Sequence, residues 1–321
     1  MKTKHHSPLW LALLLPMALV LASDNATEGA QAALHTCTTL IIPCLFPFFA
    51  VSLLVSGLGL PGWLGSKLQA PMSLLFGVSG TGAGIFLLSI LGGYPIGAAL
   101  IADSLKRGDL TKKEAETLLC FCNNSGPAFL IGAVGVGVFH SSAAGLLLYG
   151  VHILAAIITG MFLSGSRAAP RKNDSVFIAA TDLSTLLPDA ISKAVTQTLL
   201  VCGYVVFFGA VSGILEATGL LATLCGTLAL NTPLTLHHAR ALCMGLLELG
   251  CGIGAMAGTT LSPQSMTLCA VLTGFGGVSV ALQTGGVLHG TGLPLYRHIL
   301  GRLCCGGISG FLMYSIASIL L

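Results

Sequence analysis

Apolar residues in this chain form long runs that are interrupted by glycine and proline rather than by polar loops. The clearest interruption is Gly92-Gly93-Tyr94-Pro95, between an apolar arm that begins at Gly84 and a second arm that ends at Arg107. Each arm has about 10 to 12 residues, which as a helix spans roughly 15 to 18 Å, half of a ~30 Å hydrocarbon layer. Neither arm can cross alone, so the pattern predicts a re-entrant hairpin whose tip is surrounded by protein or a water-filled cavity, as in transporter sites.

The other apolar runs predict membrane helices on both sides of this hairpin. The run from Cys37 to Leu60 is long enough to cross and carries two prolines, so it should kink. A helix from Thr111 to Phe121 should break at Asn123 to Pro127 and resume to Phe139. A further crossing from Ala144 to Leu163 follows.

The N-terminal region admits two interpretations. Lys2 and Lys4 precede the apolar run from Pro8 to Ala22, which suits either a retained first helix or a cleaved signal peptide. We interpret it as a retained helix because the rest of the chain is membrane protein. The polar residues 24–36 predict an interfacial segment.

The second half of the chain repeats the first. Aligning Thr38–Leu60 with Thr198–Leu220 gives eight identities in 23 positions, more than apolar composition alone would give. The hairpin recurs more weakly, with Gly93-Tyr94 on Gly274-Phe275, which predicts a second tip at Gly276 and Gly277. The expected units are residues 1–36, a first repeat 37–163, a loop 164–182 and a second repeat 183–321.

Basic residues in two polar loops indicate how these repeats are oriented. The loops Lys106–Glu116 and Ser164–Asp182 are both expected in the cytoplasm by the positive-inside rule. The copies then cross in opposite directions, so the predicted fold is an all-α, polytopic, inverted-repeat transporter fold with two re-entrant helical hairpins and broken helices. In that arrangement Arg297 and Arg302 should lie near the outer face.

Composition excludes several classes of protein. With 54% hydrophobic and only 8% charged residues, the chain cannot be a soluble globule, and its partner is the lipid bilayer. The net charge of +3 and the lack of a long basic run argue against nucleic acid. The 11 cysteines lie mostly singly in apolar runs, so we interpret them as small hydrophobic residues rather than as disulfides or metal ligands.

Four strings carry a resemblance to a known family. They are GGYPIGAALIADSL from Gly92, FCNNSGPAFLIGAVG from Phe121, LLELGCGI from Leu246 and GFGGVSVALQ from Gly274. They resemble the YlbJ-type sporulation integral membrane proteins, within the nucleoside-recognition Gate-domain proteins. The resemblance implies a fold like that of concentrative nucleoside transporters and a role in moving dipicolinic acid across the outer forespore membrane. One departure is Glu248-Leu249-Gly250-Cys251, where the family has a hydroxyl residue.

The hairpins suggest where a small aromatic anion would bind. Helix N-termini near Ile96 and Val278 would present unpaired N–H groups at mid-membrane depth. Side-chain amides and hydroxyls could bind carboxylate oxygens, while two aromatic rings at matching tip positions could cover the ligand ring. The predicted substrate-binding residues are Tyr94, Asn123, Asn124, Ser125, Phe275, Ser279 and Gln283. The predicted tip residues are Gly92, Gly93, Pro95, Gly276 and Gly277.

Each of these residues also has a purely structural interpretation. Asn123 and Asn124 could cap the ends of a broken helix, and Tyr94 and Phe275 could pack at tight turns. Glu248 is a candidate for proton coupling because an intramembrane carboxylate is functional by default, but it could also be an interfacial or structural acid.

The motifs leave three functional hypotheses. The chain contains no HExxH, P-loop or GxSxG string, so we expect no catalytic residues, metal site or cofactor. The first hypothesis is a carrier for a small aromatic anion, and the second is a nucleoside or nucleobase carrier. The third is a non-transporting membrane assembly protein needed for spore formation. The oligomeric state stays open.

Overall fold

The computed structural model describes residues 9–164 and 182–320, and within these ranges the regular structure is entirely helical. The expectations for residues 1–8 and for most of the loop 164–182 lie outside the described residues. The helices of the first half are α1 (Leu9–Leu21), α2 (Ser23–Thr36), a π-helical turn (Cys37–Ile41), α3 (Ile42–Gly57), α4 (Leu60–Phe76), α5 (Gly80–Gly92), α6 (Ile96–Arg107), α7 (Lys112–Leu119), a π-helix (Ala128–Val138) and α8 (Ser142–Leu163). Those of the second half are α9 (Leu183–Ala217), α10 (Leu220–Asn231), α11 (Leu236–Leu247), α12 (Leu249–Gly254), α13 (Pro263–Phe275), α14 (Gly277–Leu288) and α15 (Leu295–Leu320).

Several of these helices are long and apolar enough to cross a membrane. In the described part of the chain there are five such segments, and a sixth if α4 and α5, which meet at 96°, count as one broken span. The five are Ser23–Val55, Ser142–Leu163, Leu183–Ala217, Pro263–Leu288 and Leu295–Leu320. The predicted all-α polytopic membrane fold is confirmed.

The first hairpin lies where the glycine–proline break predicts it. A Cβ atom placed on Gly97 of α6 would lie 2.9 Å from the Cβ of Ser89 in α5. In one straight helix, residues eight positions apart would be roughly 12 Å apart along the axis. The chain therefore reverses between α5 and α6, with Gly92 to Pro95 at the tip.

The second hairpin lies elsewhere than predicted. Helices α13 and α14 follow one another as a single 26-residue span, so the predicted tip at Gly276 and Gly277 is wrong. The two glycines have φ of +86° and +83°, which interrupts the helix without reversing it. The reversal occurs between α11 and α12 at Glu248, which has extended backbone, and it brings Gly252 against the backbone of Gly245.

The predicted break between α7 and the next helix is confirmed. Helix α7 ends at Leu119, the chain is irregular up to Pro127, and Ala128–Val138 continues as a π-helix. A reciprocal capping box starts α7: the Glu114 N–H donates to the Thr111 hydroxyl at 3.2 Å, and the Thr111 N–H donates to the Glu114 carboxylate at 3.0 Å. Two glycines press on the irregular segment, because Gly97 of α6 lies on the Cys122 carbonyl and Gly301 of α15 on the Cys120 carbonyl.

The sequence suggested a separate interfacial segment at residues 24–36, but helix α2, which contains these residues, is not separate. It continues through the π-helical turn into α3 as one 33-residue span, Ser23–Val55, and it packs along α9. The reason is a seam of small residues: Gly29 lies against the backbone of Gly209 and Gly213, and the buried Ala33 lies against Gly209. Close backbone contact of this kind is typical of helix pairs in membranes.

Candidate functional site

Each hairpin tip is seated on an interrupted helix. A methyl group on Gly126, in the irregular segment after α7, would lie 3.0 Å from the backbone nitrogen of Gly93 at the first tip. A methyl group on Gly277, at the break between α13 and α14, would lie 2.9 Å from the Gly245 carbonyl near the second tip. The fold thus gathers four stretches of irregular backbone in one place, where freed N–H and C=O groups are screened from lipid.

A cavity of about 50 Å³ lies between these stretches and the paired helices α3 and α9. Its wall on the α3–α9 side is apolar and includes Phe49 and Val205, and the opposite wall contains both tips. A volume of this size holds a few water molecules. In this structure the cavity is therefore too small for an organic ligand.

Glu248 places a carboxyl group in the cavity wall from the tip of the second hairpin. It is 3% exposed, and its Oε2 accepts a hydrogen bond from the Cys251 N–H at 2.7 Å. Its Oε1 accepts a hydrogen bond from the Ser279 hydroxyl at 3.2 Å. The carboxyl group thus lies inside the protein, and it caps α12.

Gln283 of α14 also lines the cavity with a buried amide side chain. The residue is 5% exposed, yet its Oε1 has no hydrogen-bond partner. The Oδ1 of the buried Asn123 is unpartnered as well, although its Nδ2 donates to the Thr284 hydroxyl at 2.9 Å. Buried polar atoms usually have a hydrogen-bond partner, so these two amide oxygens can accept a bond from a water molecule or a ligand.

Arg302 of α15 lies directly behind the first tip, which the sequence did not predict. It is 1% exposed, so it is buried inside the protein, and its predicted place near the outer face stays a prediction. One guanidinium nitrogen donates at 3.3 Å to both the Tyr94 hydroxyl and the Asn124 Oδ1, and the other donates to the Cys120 carbonyl at 3.5 Å. The neighbouring Gly301 permits this close approach of α15. The signal for it was an arginine within an apolar helix, which is a functional candidate by default.

The predicted substrate-binding residues separate into three groups. Tyr94, Ser125 and Gln283 line the cavity, together with the tip residues Gly92 and Gly93. Three others do not line the cavity: Ser279 donates a hydrogen bond to Glu248 of the wall, whereas Asn123 and Asn124 are hydrogen-bonded to Thr284 and Arg302, which lie outside it. Their roles in binding remain predictions.

Phe275 does not take part in the cavity wall. Its backbone and Cβ pack on Gly306 of α15, whereas the Tyr94 hydroxyl donates to the Thr273 carbonyl at 3.2 Å. The predicted pair of rings around a ligand is therefore not formed, because the two residues do not occupy matching tips. Pro95 directly precedes α6, and Gly276 packs against the Tyr94 hydroxyl.

Two buried histidines that the sequence did not single out support the broken helices. The Ser125 N–H donates to Nε2 of His152 on α8 at 3.2 Å. His298 on α15 faces the Thr284 hydroxyl at 3.4 Å. Within the described ranges, His, Cys, Asp and Glu side chains form no group that could hold a metal ion. The polar centre is thus a network of neutral groups around Glu248 and Arg302.

Known proteins resemble this chain in sequence and in fold. No family model matches the chain. It is 28% identical over 316 residues to the sporulation integral membrane protein YlbJ of Bacillus subtilis (strain 168), covering 90% of this chain and 77% of YlbJ. A solved structure of a CNTnw variant in an outward-facing state, a concentrative nucleoside transporter, matches with a TM-score of 0.53 at 13% identity, covering 98% of this chain and 87% of that one. The resemblance indicated by the sequence strings is confirmed: the chain is an integral membrane protein similar in sequence to YlbJ and in fold to a concentrative nucleoside transporter.

Proposed function

We propose that this protein is a carrier for a small aromatic anion, with dipicolinate as the first candidate and the outer forespore membrane as its location. The observation that carries the proposal is the cavity where two hairpin tips meet two broken helices. A non-transporting assembly protein has no use for such a space and would fill it with side chains. The similarity to a sporulation protein supports a role in spore formation.

The cavity wall offers the groups that an aromatic carboxylate needs. Phe49 and Phe129 supply apolar surface for a ring, while Gln283 supplies an amide for carboxylate oxygens or a ring nitrogen. The Ser125 hydroxyl donates to the Thr273 carbonyl at 3.2 Å and would have to give up that bond to donate to a ligand. Since about 50 Å³ holds only a few waters, loading requires the cavity to widen, and we expect the second tip, at Glu248, to move away from its broken helix. The same movement toward one side or the other would give alternating access.

Glu248 supplies a means of coupling in this proposal. An ionised carboxylate in the cavity wall would repel an anion, and the repulsion is strong where water is excluded. We expect Glu248 to be protonated when the substrate is bound, so that a proton accompanies the anion. The Ser279 hydroxyl, 3.2 Å from Oε1, can accept a hydrogen bond from that acid as well as donate one to its anion.

One observation favours a second candidate, a nucleoside carrier. Glu248 lies at a hairpin tip and lines the cavity, where its carboxylate could accept hydrogen bonds from ribose hydroxyls. The fold is compatible with this activity. The wall offers no second carboxylate among the described residues, so a sugar would be held on one side only.

Uptake into proteoliposomes separates these candidates. Full-length protein is reconstituted, and entry of labelled dipicolinate and labelled uridine is measured against protein-free liposomes. We expect saturable dipicolinate uptake that unlabelled uridine does not inhibit. Uptake of uridine alone would favour the nucleoside carrier. Uptake of neither, by protein that elutes as one folded species and unfolds cooperatively, would favour the assembly protein.

A further inference from the structure

Arg302 is a buried cation without an acidic partner. It is 1% exposed and lies inside the apolar helix Leu295–Leu320. The ion pairs formed by described residues involve Arg107, Lys193, Arg240 and Arg297, and none of them includes Arg302. Its Nε has no hydrogen-bond partner either. Burying a charge in this way is costly, and its three hydrogen bonds go to neutral acceptors, so a counter-charge near the guanidinium would be favourable.

The guanidinium is one side chain away from the cavity. It donates to the Tyr94 hydroxyl and to the Asn124 side-chain oxygen, both at 3.3 Å. Tyr94 lines the cavity, and Asn124 directly precedes Ser125, which lines it too. Because the space between them is filled by protein rather than by water, the field of the charge reaches the cavity with little screening.

The groups facing this region do not neutralise Arg302. The Ser125 N–H donates to Nε2 of His152, so that nitrogen carries no proton and the imidazole is neutral. His298 faces the Thr284 hydroxyl. Glu248, the acid of the cavity wall, is held on the opposite tip by Ser279 and the Cys251 N–H. The guanidinium of Arg302 is therefore the full charge in contact with the first tip, whereas Glu248 lies at the second tip.

We propose that Arg302 sets the charge specificity of this site, favouring carboxylate anions over neutral molecules of the same shape. The proposal rests on the carrier function argued above and names the residue that decides its substrate class. Arg302 acts through Tyr94 and Asn124, which it also orients, and through its charge. A ligand anion supplies the counter-charge that the folded chain lacks.

A charge series of ligands tests the proposal. The probes are dipicolinate, its monoamide and pyridine-2,6-dicarboxamide, which share a shape and carry two, one and no negative charges. Binding to the full-length protein in detergent is measured by titration calorimetry. The wild-type protein should prefer the dianion, and Arg302→Gln should weaken dianion binding about 10-fold or more while changing diamide binding less than about 3-fold. Arg302→Lys should keep most of the preference.

Arg297→Gln is the matched control. It removes a guanidinium on the same helix whose nearest acid, Glu116, is 4.0 Å away, outside the cavity wall. The ratio of dianion to diamide affinity should stay at the wild-type value. A merely structural role for Arg302 would weaken all three ligands in parallel, and that outcome overturns the proposal.

Two further outcomes keep this test separate from that of the carrier function. Dipicolinate uptake with an unchanged affinity ratio in folded Arg302→Gln overturns the inference and leaves the carrier function standing. Anion binding that depends on Arg302, without dipicolinate uptake, overturns the carrier function and leaves the charge specificity of the site standing. If Arg302→Gln does not fold, the wild-type series and Arg302→Lys decide: a wild-type protein that binds the diamide as tightly as the dianion overturns the inference, as does loss of the preference in the lysine variant.

Discussion

Replacing Gln283 with leucine should make the protein more stable and less active. The side chain is 5% exposed, and its amide oxygen has no partner. A buried polar atom without a partner costs about 1–3 kcal/mol, and a leucine of similar size removes that cost. We therefore expect Gln283→Leu to stabilise the fold by about 1 kcal/mol, which raises Tm by roughly 2 °C.

The same substitution should weaken transport. A hydrogen bond between the amide and a charged ligand is worth about 1.5–3 kcal/mol, or roughly a 10- to 150-fold change in affinity. Initial rates of labelled dipicolinate uptake at low concentration should fall by a factor in that range. Thermal unfolding in detergent, followed by intrinsic fluorescence, gives the stability from the same preparation.

Gln197→Leu is the matched control for this prediction. Gln197 in α9 also has an unpartnered amide oxygen, but it does not line the cavity. Its replacement should affect stability in the same direction and leave uptake at the wild-type rate. A Gln283→Leu protein that is less stable than the wild type and transports normally would refute the reasoning, because Gln283 would then be a structural residue.

Three other predictions concern the coupling acid, the first hairpin and a helix cap. Glu248→Gln should abolish the stimulation of uptake by an inward proton gradient while leaving gradient-free exchange, and unchanged stimulation would exclude proton coupling through this residue. Gly97→Ala should destabilise the protein by about 1–3 kcal/mol because the added methyl group meets the Cys122 carbonyl. The control Gly150→Ala, which has open space around it, should be neutral or slightly stabilising. Equal melting temperatures of the two variants would contradict this prediction. Thr111→Ala should cost about 1 kcal/mol through loss of the capping box, seen as a lower Tm and earlier amide exchange in α7.

The sequence predicted the elements that depend on local chemistry. The Gly92–Pro95 break marks the first tip, and Asn123–Pro127 marks the interrupted helix, because glycine and proline act within a few residues. The second tip was misplaced because a glycine pair looked like a tip, whereas the real reversal at Glu248 contains a charged residue within an apolar run. A repeat whose sequence similarity is weak does not fix the register of its copies.

The centre of the site could be predicted only in part. Gln283, Tyr94 and Ser125 were expected and line the cavity, since polar residues in apolar arms are expensive unless they are used. Arg302 was missed as a site residue because its burial depends on how closely α15 packs on the segment after α7. That packing depends on the contact of Gly301 with a carbonyl about 180 residues earlier. Contacts over such separations leave no periodic trace in a single sequence.

Gly97 and Gly301 both pack on the Cys120–Cys122 segment, and these contacts restrict how the helices can move relative to one another. Gly97 of α6 contacts the Cys122 carbonyl and Gly301 of α15 contacts the Cys120 carbonyl, so both helices pack on the same short segment. We therefore expect α6, α15 and this segment to move as one unit. If the protein is the carrier proposed above, α6, α15 and this segment would move together, and its gates would be the contacts around them.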